Sequence, residues 1–166
     1  MIQPGETARS HRHTPAALRL VLDAGDDVYT VVDGKRVDMT PGDVVLTPSW
    51  CWHGHANEGT ETAFWLDFLD VPFVRHMEAT FFEHHPEAFQ RPTERDSGFR
   101  IPLATVLAGR TGMHSVEIAK DVMPTIGLHA IRLPSDTATK NLHETANNIY
   151  AVVCGTRACH DRWTGG

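Results

Sequence analysis

Turn signals interrupt the first part of this chain at short, even intervals, and they leave little room for anything but hairpins. Ala24-Gly25-Asp26-Asp27, Asp33-Gly34, Thr40-Pro41-Gly42-Asp43, Pro48 and Asn57-Glu58-Gly59-Thr60 each separate apolar, β-branched runs. The runs are Leu18 to Leu22, Val28 to Val32, Val37 to Met39, Val44 to Thr47, Trp50 to His55 and Thr62 to Leu69. Asp33-Gly34 reads as a tight turn of the primed hairpin type, because both central positions of such a turn need positive φ. Short strands in that rhythm predict an all-β fold, an antiparallel barrel or jelly roll.

The pattern changes after Asp70. Val71 to Glu83 carries apolar residues at Val71, Val74, Met77, Ala79, Phe81 and Phe82, which predicts a short helix packed on the barrel. From His84 to Gly112 the chain is rich in Pro, Gly and charge, and reads as a linker. Strand signals return at Ile126 to Leu133 and at Asn148 to Cys154. The expected organisation is a barrel over residues 1–70, a helix and linker over 71–124, and the start of a second sheet over 125–166. Leu142-His143-Glu144-Thr145 followed by Ile149 to Val153 repeats in outline the pattern of Arg12 to Pro15 followed by an apolar run.

With 166 residues, 41% of them hydrophobic, the chain can bury one real core. A net charge of −6 with scattered basic residues argues against nucleic acid as a partner. No apolar run has the length of a membrane span, and the first residues do not read as a secretory signal. Cys51, Cys154 and Cys159 are odd in number and form no CxxC pair, so a reduced, cytoplasmic setting is expected. GxSxG, HExxH and phosphate-cradling motifs are absent. Cys51 reads as a small buried hydrophobe.

Histidine carries the chemistry. Four of the eleven histidines fall in His11-Arg12-His13 and His53-Gly54-His55, each pair spaced i, i+2. On a strand, residues two apart share a face, so each pair can aim both rings into one cavity. His76, His84, His85, His114, His129 and His160 lack such a pattern and read as surface or core residues. His11, His13 and His53 are the expected metal ligands. Three neutral imidazoles on one face of an octahedron leave three positions open, although three histidines also hold zinc tetrahedrally with one water. An aromatic wall with acid and base groups beside the metal favours iron(II). His55 reads equally as a hydrogen-bonding support or a substrate contact.

Arg19 lies six residues beyond His13, on the same strand face if the strand is continuous, while Leu18, Leu20 and Leu22 face away. An inward arginine grips a carboxylate or forms a salt bridge at the barrel rim. Trp65 and Asp67 form a third i, i+2 pair. Trp65 offers a flat face to a planar substrate or fills the core. Asp67 acts as a hydrogen-bond acceptor or proton shuttle, or else orients a ligand imidazole.

Taken together, these residues resemble the cupin superfamily, and within it the gentisate 1,2-dioxygenase group with its salicylate and 1-hydroxy-2-naphthoate relatives. The resemblance runs from about Gln3 to Glu83, through Pro4-Gly5-Glu6-Thr7-Ala8, His11-Arg12-His13-Thr14-Pro15, Ala17-Leu18-Arg19, Tyr29 to Gly34, Pro41-Gly42-Asp43, Leu46 to Trp50, Trp52-His53-Gly54-His55, Trp65-Leu66-Asp67 and Phe81-Phe82-Glu83. Cupins in general carry a glutamate ligand shortly after the HxH pair; Ala16, Ala17 and Leu18 stand there instead, as is typical of this dioxygenase group.

The resemblance implies a cupin jelly-roll barrel and extradiol-type ring cleavage. It implies Fe(II) held by His11, His13 and His53, bound by the substrate's carboxylate and ortho hydroxyl, with dioxygen in the remaining position and gentisate (2,5-dihydroxybenzoate) giving maleylpyruvate. Arg19 would bind the carboxylate, Trp65 would shape the ring pocket, and His55 and Asp67 would contact hydroxyls or oxygen. Against the family pattern the chain starts inside the first cupin. A second cupin opens near Thr125-Ile126-Gly127, with Asn141 where a first histidine would fall and His143 after it. A fragment is therefore expected, associating into a homo-oligomer through the edges of an incomplete second barrel. Two other classes are weighed beside this one: a zinc or manganese cupin isomerase or hydrolase, and a module that binds metal or an aromatic acid without turnover.

Overall fold

The computed structural model describes residues 1–95, 98–140 and 144–155. Seven strands come first: β1 (Thr7–His13), β2 (Ala17–Asp23), β3 (Val28–Val32), β4 (Lys35–Asp38), β5 (Asp43–Thr47), β6 (His53–Asn57) and β7 (Phe64–Leu69). Helix α1 (Val71–His76) follows, then β8 (Phe82–His84), β9 (Glu94–Arg95), β10 (Arg100–Pro102), α2 (Leu103–Val106), β11 (His114–Ile118) and β12 (Leu128–Arg132). The strands form a six-stranded sheet ordered β8-β1-β6-β3-β4-β9, a four-stranded sheet ordered β10-β5-β2-β7, and the pair β11-β12. Among the described residues no helix is long and apolar enough to cross a membrane.

The turns behave as their residues dictate. Asp33 and Gly34 both take positive φ (48° and 79°), the primed turn that lets β3 and β4 keep their twist. Gly42 at φ 83° closes the Thr40–Asp43 turn, whose ends are joined by an Asp43 N–H to Thr40 carbonyl bond of 3.0 Å.

Side-chain alternation sorts the core into layers. Between the two larger sheets lie Val21, Val28, Val32, Val37, Val45 and Met39, sealed by Ile2 and Ala63. Leu18 and Leu20 point the other way, as expected. They are nevertheless buried, because Met123 and its neighbours Phe99, Ile101 and Leu128 cover that outer face. The opposite outer face, at Tyr29, Val31 and Ala56, packs against Phe89. The segments after the first seven strands thus act as covers over two sheet faces.

Several expectations change here. β1 ends at His13 and β2 starts at Ala17 in the other sheet, so Arg19 does not continue the strand of His13. Pro15, which lacks a backbone donor, sits at the crossing. The strand expected from Trp50 begins only at His53, since Trp50 takes a left-handed φ of 64°. The helix expected to run to Glu83 stops at His76 and has no buried residue. Phe82–His84 instead adds a strand beside β1, with Phe82 opposite His13 and His84 opposite His11. The stretch read as a linker contributes β9 and β10 to the two sheets. Asn148 to Cys154 carries no strand. Asn141, His143, Cys159 and His160 lie outside the described residues.

Candidate functional site

The site sits where β1 and β6 pair. Their register joins Ala8 to His55 but His11 to His53, so β1 carries one extra residue between the two rungs. Such a bulge re-aims the residues after it. Here it places His11 directly across from His53, with His13 on the same face. The bulge also presses Ser10 against β6. A side chain at Gly54 would put its Cβ 2.5 Å from Ser10 Oγ, so only glycine fits between the two β6 histidines. Ser10 is fully buried and well satisfied: its N–H bonds Ala88, its carbonyl accepts from His85 N–H, and its hydroxyl accepts from Gln90 N–H.

One ring nitrogen of each of His11, His13 and His53 lies within 4.8 Å of the others. Ring centroids stand 5.5 Å apart for His11–His13, 4.4 Å for His11–His53 and 4.7 Å for His13–His53. All three rings engage Nδ1 with a carbonyl two residues away: His11 with Arg9 at 3.0 Å, His13 with Pro15 at 2.7 Å and His53 with Cys51 at 3.0 Å. A neutral imidazole that donates from Nδ1 keeps its lone pair on Nε2, the form that binds metal. His53 Nε2 is buried without any hydrogen-bond partner. A buried polar atom left bare is costly unless something absent from the chain occupies it. Burial, aided by Arg19 and the two neighbouring histidines, pushes His53 down to about 3, and burial also lowers His13. Neutral rings with free Nε2 atoms fit a divalent first-row metal, and the donor set by itself does not distinguish iron from zinc.

His55 lies one step further along β6, its ring 6.5 Å from His53 and 5.2 Å from Trp65. Its Nδ1 meets Thr30 Oγ1 at 2.9 Å, and Thr30 in turn reaches Met39 Sδ at 3.5 Å. Burial first, then the Arg19 charge, pushes His55 well below the ordinary histidine value.

Arg19 is buried and faces the cavity from β2. Its Nη1 donates to Thr47 Oγ1 at 2.5 Å. Its Nε is 3.0 Å from Asp67 Oδ1, an ion pair in distance but too bent for a hydrogen bond. Asp67 is exposed, and its Oδ2 accepts from Trp65 Nε1 at 3.0 Å. Arg19, Asp67 and Trp65 are therefore linked to one another on the β2–β7 side. Sequence reasoning missed Thr30, Thr47 and Phe82, whose ring stacks on His11 at 5.2 Å. Thr30 and Thr47 look like ordinary strand threonines in sequence. For Phe82 the one available signal was its place beside Phe81 and Glu83 in a segment that resembles the dioxygenase group.

The chain is similar to proteins already known. Residues 1–69 match the family described as Cupin domain. This part of the chain has the cupin fold. The chain is 48% identical over 81 residues to a gentisate 1,2-dioxygenase from Ralstonia, a match covering 49% of this chain and 22% of that protein. It is 43% identical over 100 residues to one from Haloferax, covering 59% and 28%. The structure also matches that of a salicylate 1,2-dioxygenase from Pseudoaminobacter salicylatoxidans, solved as adducts with gentisate. That match has a TM-score of 0.64 at 29% identity, over 82% of this chain and 50% of that one. The chain thus spans about a quarter of the length of the two curated relatives.

Proposed function

We propose that this cupin domain belongs to a cytoplasmic, Fe(II)-dependent ring-cleaving dioxygenase acting on gentisate or a related hydroxylated aromatic carboxylate. The observation that carries the reading is the buried, unpartnered Nε2 of His53, facing two further imidazoles whose Nδ1 atoms are likewise engaged by carbonyls. Similarity to gentisate 1,2-dioxygenases supports the choice of substrate. In this reading residues 1–70 are the first of two barrels, 71–124 join them, 125–166 open the second, and the protein is a homo-oligomer.

His11, His13 and His53 would hold the metal. When bound, iron(II) supplies open positions for substrate and dioxygen and the one-electron chemistry that lets triplet oxygen react with the ring. The chain's own groups do the rest. Arg19 offers positive charge to the substrate carboxylate from a buried position, where a charge is felt strongly. Trp65 presents its indole beside His55 and lines the ring pocket. His55, kept neutral by burial and held at Nδ1 by Thr30, turns Nε2 toward a ring hydroxyl or an oxygen atom. Asp67 fixes Arg19 and Trp65 and accepts a proton at the exposed rim. In the overall reaction the bond between the carboxylate-bearing and adjacent hydroxyl-bearing ring carbons breaks. Both oxygen atoms enter the product, maleylpyruvate in the case of gentisate.

Anaerobic loading with iron(II), followed by oxygen uptake with gentisate, tests the reading. One oxygen consumed per gentisate lost is expected. A folded, iron-loaded sample that consumes none would overturn it. The exposed position of Asp67 favours a second reading, in which the domain binds the aromatic acid without turnover. Calorimetric binding of gentisate without oxygen uptake is its signature.

A further inference from the structure

Arg12 lies between His11 and His13 on β1, and strand alternation sends its side chain to the opposite face of the sheet. There its guanidinium carbon stands 4.4 Å from the ring centroid of Trp50 and 4.4 Å from that of Trp52. Its Nε and Nη2 both donate to Glu83 Oε2, at 2.8 and 2.5 Å. One planar cation is thus held between two indoles and tied to a third segment, β8. The arrangement reaches every imidazole of the candidate metal site. Arg12 is the immediate neighbour of His11 and His13, Trp52 of His53. Between the two indoles sits Cys51, whose carbonyl holds His53 Nδ1 at 3.0 Å. Trp50 occupies a left-handed φ of 64°, unfavourable for so bulky a residue, and its N–H donates to the His13 carbonyl at 2.9 Å. Trp52 is tied by its N–H to Asp33 Oδ1 at 2.7 Å and by its carbonyl to Asp33 N–H at 2.8 Å.

We propose that Arg12 is a positioning residue for the metal site: sandwiched by Trp50 and Trp52, it fixes the Cys51 carbonyl and hence the relative aim of the three imidazoles. This rests on the three-histidine reading above. The ion pair with Glu83 is partly exposed and adds little by itself. Stacking of a flat guanidinium on indole faces is the stronger contact, and lysine cannot reproduce it.

Cobalt(II) serves as the probe, since its absorption reports ligand geometry and its affinity is measured by competition with a chelator. In the full chain, Arg12→Ala is expected to weaken cobalt binding about 10- to 100-fold and alter the cobalt spectrum. Unfolding of the metal-free protein should meanwhile shift only slightly. Arg12→Lys, which keeps the charge and folds more readily, should also lose affinity and show the altered spectrum, whereas Glu83→Gln should stay near wild type. Wild-type affinity and spectrum in Arg12→Ala and Arg12→Lys would overturn the proposal while leaving the three-histidine site standing. A wild-type chain that takes up no cobalt would overturn both.

Discussion

On the β1–β6 wall each imidazole of the candidate metal centre leans on a carbonyl two residues away, while on the β2–β7 wall Arg19, Asp67 and Trp65 satisfy one another across strands. The first arrangement is local and is complete as soon as the two strands pair. The second depends on β7, the outer strand of its sheet, with Phe64 and Leu66 exposed beside Asp67. In the proposed reading, metal binding and acid binding are therefore separable properties: one would be built into backbone register, the other into side chains that exchange partners when a ligand arrives.

The sharpest break comes from His53→Ala. Two remaining imidazoles rarely hold a divalent ion against buffer, so the variant should lose metal altogether by elemental analysis. Near-stoichiometric metal in that variant would undo the distinction between the walls.

Acid acts next. In the unfolded chain a histidine titrates near 6.5, whereas folded His53 is held at about 3 and His13 and His55 are also lowered. As pH falls below the unfolded value the unfolded state gains protons that the folded state refuses. Stability is thus fully present above about 6.5 and drains away as pH falls toward about 3. Denaturant midpoints of the metal-free protein should drop from pH 7 to pH 5, and His53→Ala should flatten that slope. A pH-independent midpoint would place the rings in contact with water.

Gly54→Ala tests the register itself. Its methyl group would meet Ser10 Oγ, and relief by shifting β1 should cost about 1–3 kcal/mol and weaken metal binding together. Thermal unfolding and cobalt titration measure the two effects; a change in neither would mean that the strands can part at the bulge without consequence.

The smallest effect belongs to the other wall. Arg19→Ala should weaken gentisate binding by about tenfold, the loss expected of one charge-assisted hydrogen bond, with metal content intact. Asp67 is exposed and can turn to water, which keeps the structural penalty low. Unchanged affinity for the acid, read by calorimetry, would make Arg19 a purely structural residue.

What was legible in the sequence divides along local and non-local lines. Val28–Val32 is the strand its residues announce, and Asp33-Gly34 makes the turn, because both follow from local conformational preference. The histidine pairs were legible because a spacing of two has one meaning on a strand. Arg19 does face inward, though for a different reason from the expected one: it shares a face with Ala17 and Val21 on a strand of the other sheet. The bulge before His11 left no mark that β1 alone could show; only the partner strand's Gly54 hinted at it. Phe81-Phe82 suggested a helical face, yet pairing with β1 drew Phe82 into a strand. Such outcomes are decided by which strand lies alongside, and a single chain read in order does not display its neighbours.

The extra residue in β1 and the missing side chain at Gly54 form one inherited unit. Removing a single residue ahead of His11 would relieve the crowding at position 54 and leave a regular ladder, in which His11 would still fall opposite His53 and on its face. A descendant of this domain could therefore lose the bulge and accept a small side chain at position 54 while its three histidines keep a common face.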